Sequence, residues 1–249
     1  MLDDIRGDLR IKPKVSVALA FCMILTFLLI LLEPNFQKLI GVVDSNGVNF
    51  KARLSVPFVH GYDQVTSIVH LSINLILMYL LGTYIEKIIG GFRFLLITGI
   101  FCIIYVLTHR LMLMIGHGFT PVIMMYSSLS FIILNEARYV KTSSTHDDYY
   151  RVLWITNIFI WICTPIILNI IPIYFDNQTS SAAAIVNTNL LLFEGLVLGI
   201  VAGLIIKKQI RNKLVQYTRK KYIKHDKIDE ISWIGVAVVP IIIFWSILL

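Results

Sequence analysis

Long apolar runs without charged residues, separated by short polar segments, form the dominant pattern of this chain. A run of about 20 such residues is long enough to cross a bilayer as an α-helix. The pattern predicts seven transmembrane helices, at residues 15–32, 65–85, 94–107, 119–134, 152–175, 182–206 and 231–249. The first run lacks the short apolar core and small-residue cleavage site of a signal peptide, so we expect a retained span. Pro165 and Pro172 fall within the fifth run, where neighbouring helices can satisfy the carbonyls that a proline leaves free.

The same pattern predicts how the chain is organised. A charged N-terminus (residues 1–14) precedes a six-span domain (15–206), a basic loop (207–230) and a seventh helix (231–249). Between the third and fourth runs, Arg110 and closely spaced glycine and histidine residues interrupt an apolar segment. We interpret that segment as a partly buried loop.

Composition places the chain among integral membrane proteins. Of its 249 residues, 57% are hydrophobic and 15% are charged, and the mean hydropathy is +0.79, outside the range of soluble domains. The three cysteines, Cys22, Cys102 and Cys163, all lie in apolar runs. This position argues against a disulfide framework and leaves the redox compartment open.

The distribution of charge predicts the orientation. With the N-terminus inside, 18 of the 22 lysine and arginine residues fall on the inner side and 4 on the outer side. This bias favours an inner N-terminus and an outer C-terminus, and it explains the net charge of +7 without a nucleic-acid partner. The basic run KKQIRNKLVQYTRKKYIKHDK is expected to lie along the inner membrane surface, near anionic lipid. A topology signal is the favoured interpretation of this run, and a lipid or protein docking site is the alternative.

Two groups of residues within the spans stand out. His70 and Asn74 lie four residues apart near the outer end of the second span, so both side chains project from one helix face. They indicate a functional cavity or, equally well, a local polar contact between helices. In the sixth span Gly195, Gly199 and Gly203 recur at four-residue intervals, a spacing that favours close helix packing.

In order along the chain, these motifs resemble those of the rhomboid superfamily of intramembrane proteins. The matching pattern is R-x-x-x-x-F-x-H, then H-L-x-x-N with L-G-x-x-x-E, then G-x-[ST]-x, then a glycine ladder. Its members here are Arg53, Phe58, His60, His70, Asn74, Gly82, Glu86, Gly118, Thr120, Gly195 and Gly199. The resemblance covers residues 50–206 and implies an all-α, rhomboid-like six-helix bundle, with one added C-terminal transmembrane helix.

The family resemblance implies serine-protease chemistry inside the bilayer. In that family a serine at the start of the fourth span is the nucleophile and a histidine of the sixth span is the base. The histidine and asparagine that hold the oxyanion correspond here to His70 and Asn74. An alcohol needs an adjacent base to become nucleophilic, and the oxyanion needs preorganised donors. This chain departs from the pattern at two positions, with Thr120 where the serine stands and Leu192 where the base histidine stands.

The segment GHGFTP leaves two interpretations of Thr120 open. Thr120 is either a nucleophile or the N-cap of the fourth helix with Pro121 at N1, and capping is favoured. A shifted alignment instead puts Gly118 at the nucleophile position. His117 and Glu194 are the remaining candidates for a base, and neither is favoured, because His117 lies on a loop and Glu194 points to a different side of its helix from Leu192.

The sequence therefore predicts a rhomboid-like pseudoprotease that binds transmembrane segments of client proteins or serves as a subunit of a larger membrane complex. The alternative is an active protease that uses Thr120. A transporter is disfavoured, because no pair of similar halves is visible. Membrane lipids and client proteins are the expected partners, and no cofactor or metal is expected. The triplet Asn177-Gln-Thr179 is a potential glycosylation site in a predicted outer loop, and the type of membrane stays open.

Overall fold

The computed structural model describes residues 12–32, 56–60, 64–111, 118–140, 148–175 and 182–218. All the regular structure in these residues is helical. The α-helices are α1 (Lys14–Leu32), α2 (Gln64–Leu77), α3 (Thr83–Ile89), α4 (Gly91–Leu111), α5 (Thr120–Val140), α6 (Asp148–Phe175), α7 (Ala182–Ile205) and α8 (Lys207–Thr218). The predicted seventh span, residues 231–249, lies outside the described residues, as do Arg53, His117 and Asn177.

Several of these helices are long and apolar enough to cross a membrane. In the described part of the chain three qualify, at Lys14–Leu32, Ser67–Ile89 and Gly91–Thr108. A fourth is added if Asn189–Ile205 and Lys207–Tyr217, which meet at an angle of 65°, count as one bent span. The protein is therefore an all-α membrane protein, which confirms the predicted class. The three straight spans correspond to the first three predicted runs.

Helix α5 lies at the centre of the described helices. It contacts α7 most extensively and also packs against α2, α3, α4, α6 and α8. Its polar residues Ser127, Ser128, Ser130 and Glu136 are all buried. Because neighbouring helices cover α5, it can hold polar groups that a lipid-facing helix would leave unsatisfied.

Helices α5 and α7 run parallel, and they meet backbone to backbone at Gly195 and Gly199 of α7. A Cβ added to Gly195 would collide with the Pro121 carbonyl oxygen, and one on Gly199 would collide with Ser128 Oγ and the Met125 carbonyl. At Gly203 the nearest atom would be the Ile132 side chain, 2.8 Å away. Only glycine allows this separation between the two backbones.

The second predicted span continues beyond Ile85. Helices α2 and α3 are joined by a turn of π-helix at Met78–Gly82, so the helical path runs from Gln64 to Ile89. A π-turn widens the helix and disturbs its regular hydrogen bonding. The Tyr149 hydroxyl of α6 donates to the Leu80 carbonyl over 2.6 Å, and this bond ties the π-turn to α6.

The N-terminus of α1 is capped by a side chain from another helix. Glu86 of α3 is 3% exposed. Its Oε1 accepts the backbone N–H groups of Lys14 and Val15 at 2.8 and 2.9 Å. Its Oε2 accepts Ser16 N–H at 2.8 Å and Ser16 Oγ–H at 2.7 Å. The three backbone donors are among the N–H groups that a helix leaves unpaired at its start.

The basic segment after the sixth predicted span begins with a helix. At Ile206 the chain turns by 65°, and α8 folds back against α5 and α3. Ile210 and Leu214 of α8 are fully buried, whereas the residue type alone had suggested a loop over 207–230. Lys207 at the start of α8 lies 3.2 Å from the buried carboxylate of Glu136 on α5.

Candidate functional site at the start of helix α5

A histidine and a threonine hydroxyl meet where α2 passes the start of α5. Nε2 of His70 lies 2.8 Å from Oγ1 of Thr120, although the two residues are 50 positions apart. Both side chains are partly buried. The imidazole either accepts the hydroxyl proton or donates its own N–H, depending on its tautomer.

This contact changes the interpretation of Thr120 as a helix cap. The carbonyl of Phe119 accepts the first bond of α5, from Ile123 N–H at 3.0 Å. Phe119 is therefore the N-cap and Thr120 occupies N1, one position later than expected. A hydroxyl at N1 is not in the capping position, and the partner that Thr120 Oγ1 has is the His70 ring.

Gly118 allows the histidine to approach the start of the helix. Its φ is +119°, a value that side chains rarely tolerate. A Cβ at this position would lie 2.6 Å from Cε1 of His70. The Gly118 N–H donates to the Val56 carbonyl at 3.0 Å, which joins this turn to the short 3₁₀ helix Val56–Phe58.

His60 packs behind His70 and forms the wall of the site. It is fully buried, and its Nδ1 lies 2.9 Å from the Phe58 carbonyl. Because a carbonyl only accepts, Nδ1 carries the proton. The rings of His60 and His70 meet edge to face, with centroids 5.2 Å apart. His60 therefore limits the positions that the His70 ring can take.

Asn74 adds a polar group one turn further along α2. The residue is 1% exposed, and within the described structure its Nδ2 has no hydrogen-bond partner. A buried amide without a partner costs free energy. Its N–H groups are thus available to an acceptor such as a carbonyl oxygen.

Helix α7 presents a leucine at the level of Thr120. Gly195 lies against Pro121, and the two helices are parallel. Leu192 precedes Gly195 by about one turn on α7, and it is 3% exposed. An aliphatic side chain in this position neither accepts nor donates a proton.

Glu194, one of the two other candidates for a base, is not in this arrangement. Glu194 is engaged on the side of α7 that faces α4, where its Oε1 accepts the Thr108 hydroxyl at 2.7 Å. His117 lies outside the described residues. Among the residues that the structure describes, no group of three or more histidine, cysteine, aspartate or glutamate side chains has the geometry to hold a metal ion.

Sequence reasoning missed two polar arrangements deeper in the fold. One is the Glu86 cap on α1, and its signal is that Lys12 and Pro13, immediately before α1, are not capping residues. The other lies between α5 and α6, where Oδ1 of Asn157 accepts the hydroxyls of Ser127 and Ser130 at 2.6 and 2.9 Å. The sequence signal for this cluster is weak, because single serines and asparagines are common in transmembrane helices.

The arrangement places one hydroxyl and one imidazole at the start of α5, with the Asn74 amide one turn further along α2 and an aliphatic position of α7 at the same level. Such a group can hold a carbonyl oxygen or another hydrogen-bond acceptor. Comparison of the chain with protein-family models, with curated proteins and with solved structures finds no match.

Proposed function

We propose that this chain is a rhomboid-like pseudoprotease, which binds transmembrane segments of client proteins without cleaving them. The proposal takes the sequence resemblance together with the site at the start of α5. The wider architecture belongs to the same proposal: six spans over residues 15–206 and a seventh at 231–249, with the N-terminus inside and the C-terminus outside.

The observation that carries the proposal is the combination of Leu192 on α7 with a threonine at position 120. Leu192, buried on α7, takes the place of the base histidine. The hydroxyl of Thr120 carries an extra methyl that restricts its rotation. A hydroxyl that lacks a base on α7 is a weak nucleophile.

The remaining polar groups suit binding. Asn74 Nδ2 is a buried donor that has no hydrogen-bond partner among the described residues, and His70 precedes it by one turn on α2. A client helix that is locally unwound presents free backbone carbonyls, which are costly in lipid. Hydrogen bonds to such carbonyls favour unwound or polar segments over regular apolar helices. A fixed partner in a larger membrane complex uses the same chemistry.

The experiment co-expresses the protein with a tagged transmembrane reporter in a host without rhomboid proteases. Reporter helices with and without a central Gly-Pro pair separate unwound from regular segments. We expect the unwound reporter to co-purify intact with the wild type and with Thr120→Ala. Asn74→Ala is expected to reduce recovery about fivefold or more, which corresponds to the ~1 kcal/mol of one hydrogen bond.

Ile73→Ala is the matched control for binding. Ile73 precedes Asn74 on the same helix, and its side chain is 40% exposed. Equal recovery with Asn74→Ala and Ile73→Ala contradicts the binding site. Cleavage by the wild type contradicts the pseudoprotease.

A second candidate function, an intramembrane protease, is favoured by one distance. The 2.8 Å between His70 Nε2 and Thr120 Oγ1 is within the range of a nucleophile and its base. In this mechanism His70 itself removes the threonine proton. It predicts that cleavage is lost in both Thr120→Ala and His70→Ala, and that Thr120→Ser is at least as active as the wild type.

A further inference from the structure

Helix α8 has two distinct faces. Its inner face carries Ile210 and Leu214, both 0% exposed, which pack against the inner ends of α5 and α3. Its outer face carries the exposed residues Lys208 and Arg211. Residues three apart on a helix are neighbours on its surface, so these two cations form one stripe.

The position of α8 is set by contacts with the bundle. Lys207 pairs with the buried Glu136 at 3.2 Å. This pair begins the helix immediately after the 65° turn at Ile206. Where α7 crosses the bilayer, a helix at 65° to it lies closer to the membrane plane than to the normal. At about 1.5 Å per residue, the 12 residues of α8 extend roughly 18 Å along that plane.

The acidic side chains near this end of the described bundle have basic or backbone partners. The exposed Asp148, at the start of α6, lies 3.9 Å from Arg151. The carboxylates of Glu86 and Glu136 are buried and engaged by α1 and Lys207. Arg138, at the end of α5 beside α8, is exposed, and the adjacent Tyr139 is 75% exposed. Lys208 and Arg211 form no ion pair with another residue that the structure describes.

We infer that the outer face of α8, formed by Lys208 and Arg211, is a binding surface for the headgroups of anionic lipids in the inner leaflet. Anionic headgroups attract lysine and arginine near the membrane surface. Tyrosine at this depth is typical of the interfacial region. Because the apolar face of α8 is occupied by the bundle, the helix binds lipid through its charged face and does not insert. The inference holds whether or not Thr120 is reactive.

The test titrates the detergent-solubilised full chain with short-chain phosphatidylserine or phosphatidylcholine and follows binding by thermophoresis. We expect saturable binding of phosphatidylserine only. At ~1 kcal/mol per basic residue, Lys208→Gln/Arg211→Gln is expected to weaken it about thirtyfold. Size-exclusion chromatography checks that the variant remains folded.

The matched control is Lys12→Gln/Arg151→Gln, which removes the same charge from exposed positions outside α8. We expect its affinity to stay within about twofold of the wild type, because neither residue belongs to the charged face of α8. An equal loss in both double variants overturns the inference, because the effect is then one of net charge. Equal binding of the two lipids, or displacement of phosphatidylserine by polyglutamate, also overturns it, the latter indicating an acidic protein partner.

Discussion

Glu86→Gln tests whether the carboxylate of α3 holds α1 in place. In the wild type each carboxylate oxygen accepts two hydrogen bonds, from Lys14 and Val15 N–H and from the N–H and Oγ–H of Ser16. Glutamine has the same shape but only one oxygen. The NH₂ group of glutamine donates and cannot accept, so it stands opposite two donors without bonding to either. Two of the four hydrogen bonds are lost.

The magnitude follows from these bonds. A hydrogen bond to a charged group contributes about 1.5–3 kcal/mol and a neutral one about 0.5–1.5 kcal/mol. Losing two bonds at the lower figure of about 1.5 kcal/mol each gives a destabilisation of roughly 3 kcal/mol, before the weakening of the other two is counted. For a chain of this length that corresponds to a decrease of about 6–12 °C in the midpoint of thermal unfolding. The midpoint is measured by intrinsic fluorescence of the protein in detergent.

Glu194→Gln is the matched control, because Glu194 is also an acid within an apolar helix but accepts a single bond, from Thr108. Glutamine can keep that bond, so we expect a change below about 1 kcal/mol. Ser16→Ala should destabilise the wild type by about 1 kcal/mol and have a smaller effect in the Glu86→Gln background. Equal midpoints for Glu86→Gln and Glu194→Gln, or full additivity with Ser16→Ala, would refute the cap.

Three further predictions concern the centre of the bundle. Gly199→Leu collides with the α5 backbone and should abolish recovery of folded protein, whereas Gly99→Leu, on an open surface, should not, as judged by size-exclusion chromatography. Gly118→Ala should shift the midpoint down by several degrees, because alanine is strained at φ +119° and meets His70; an unchanged midpoint contradicts the observed approach. Asn157→Leu removes the acceptor of the buried Ser127 hydroxyl, whereas the Ser130 hydroxyl keeps the Ser127 carbonyl, and should cost about 2 kcal/mol, measured by the same fluorescence assay, with an unchanged midpoint as the contrary result.

The sequence predicts those parts of the fold that depend on local hydrophobicity. The apolar runs locate α1, the continuous helical stretch formed by α2, the π-turn and α3, and α4. A helix that crosses lipid must be apolar over its length. The ends of helices are less predictable. The fourth predicted span stops at 134 because Glu136 and Arg138 follow, yet α5 continues to Val140. Glu136 is tolerated there because Lys207, far along the chain, pairs with it.

The candidate site shows the same division. The spacing of His70 and Asn74 places them on one face of α2, as expected from helical periodicity. The partner of Thr120 was not predictable, because the contact with His70 joins residues 50 positions apart through the turn at Gly118. Local pattern favoured a cap at Thr120, and tertiary contacts place the first helical bond at Phe119 instead.

The chemical state of the Thr120 hydroxyl is the central claim, and it can be measured without a known client. The purified protein is exposed to a fluorophosphonate, which forms a covalent adduct with an activated hydroxyl, and its intact mass is recorded. Because Leu192 supplies no base, we predict no adduct on the wild type, while Thr120→Ser/Leu192→His, which restores both groups, serves as the comparison. An adduct on the wild type that disappears in Thr120→Ala would contradict the pseudoprotease and identify Thr120 as a nucleophile.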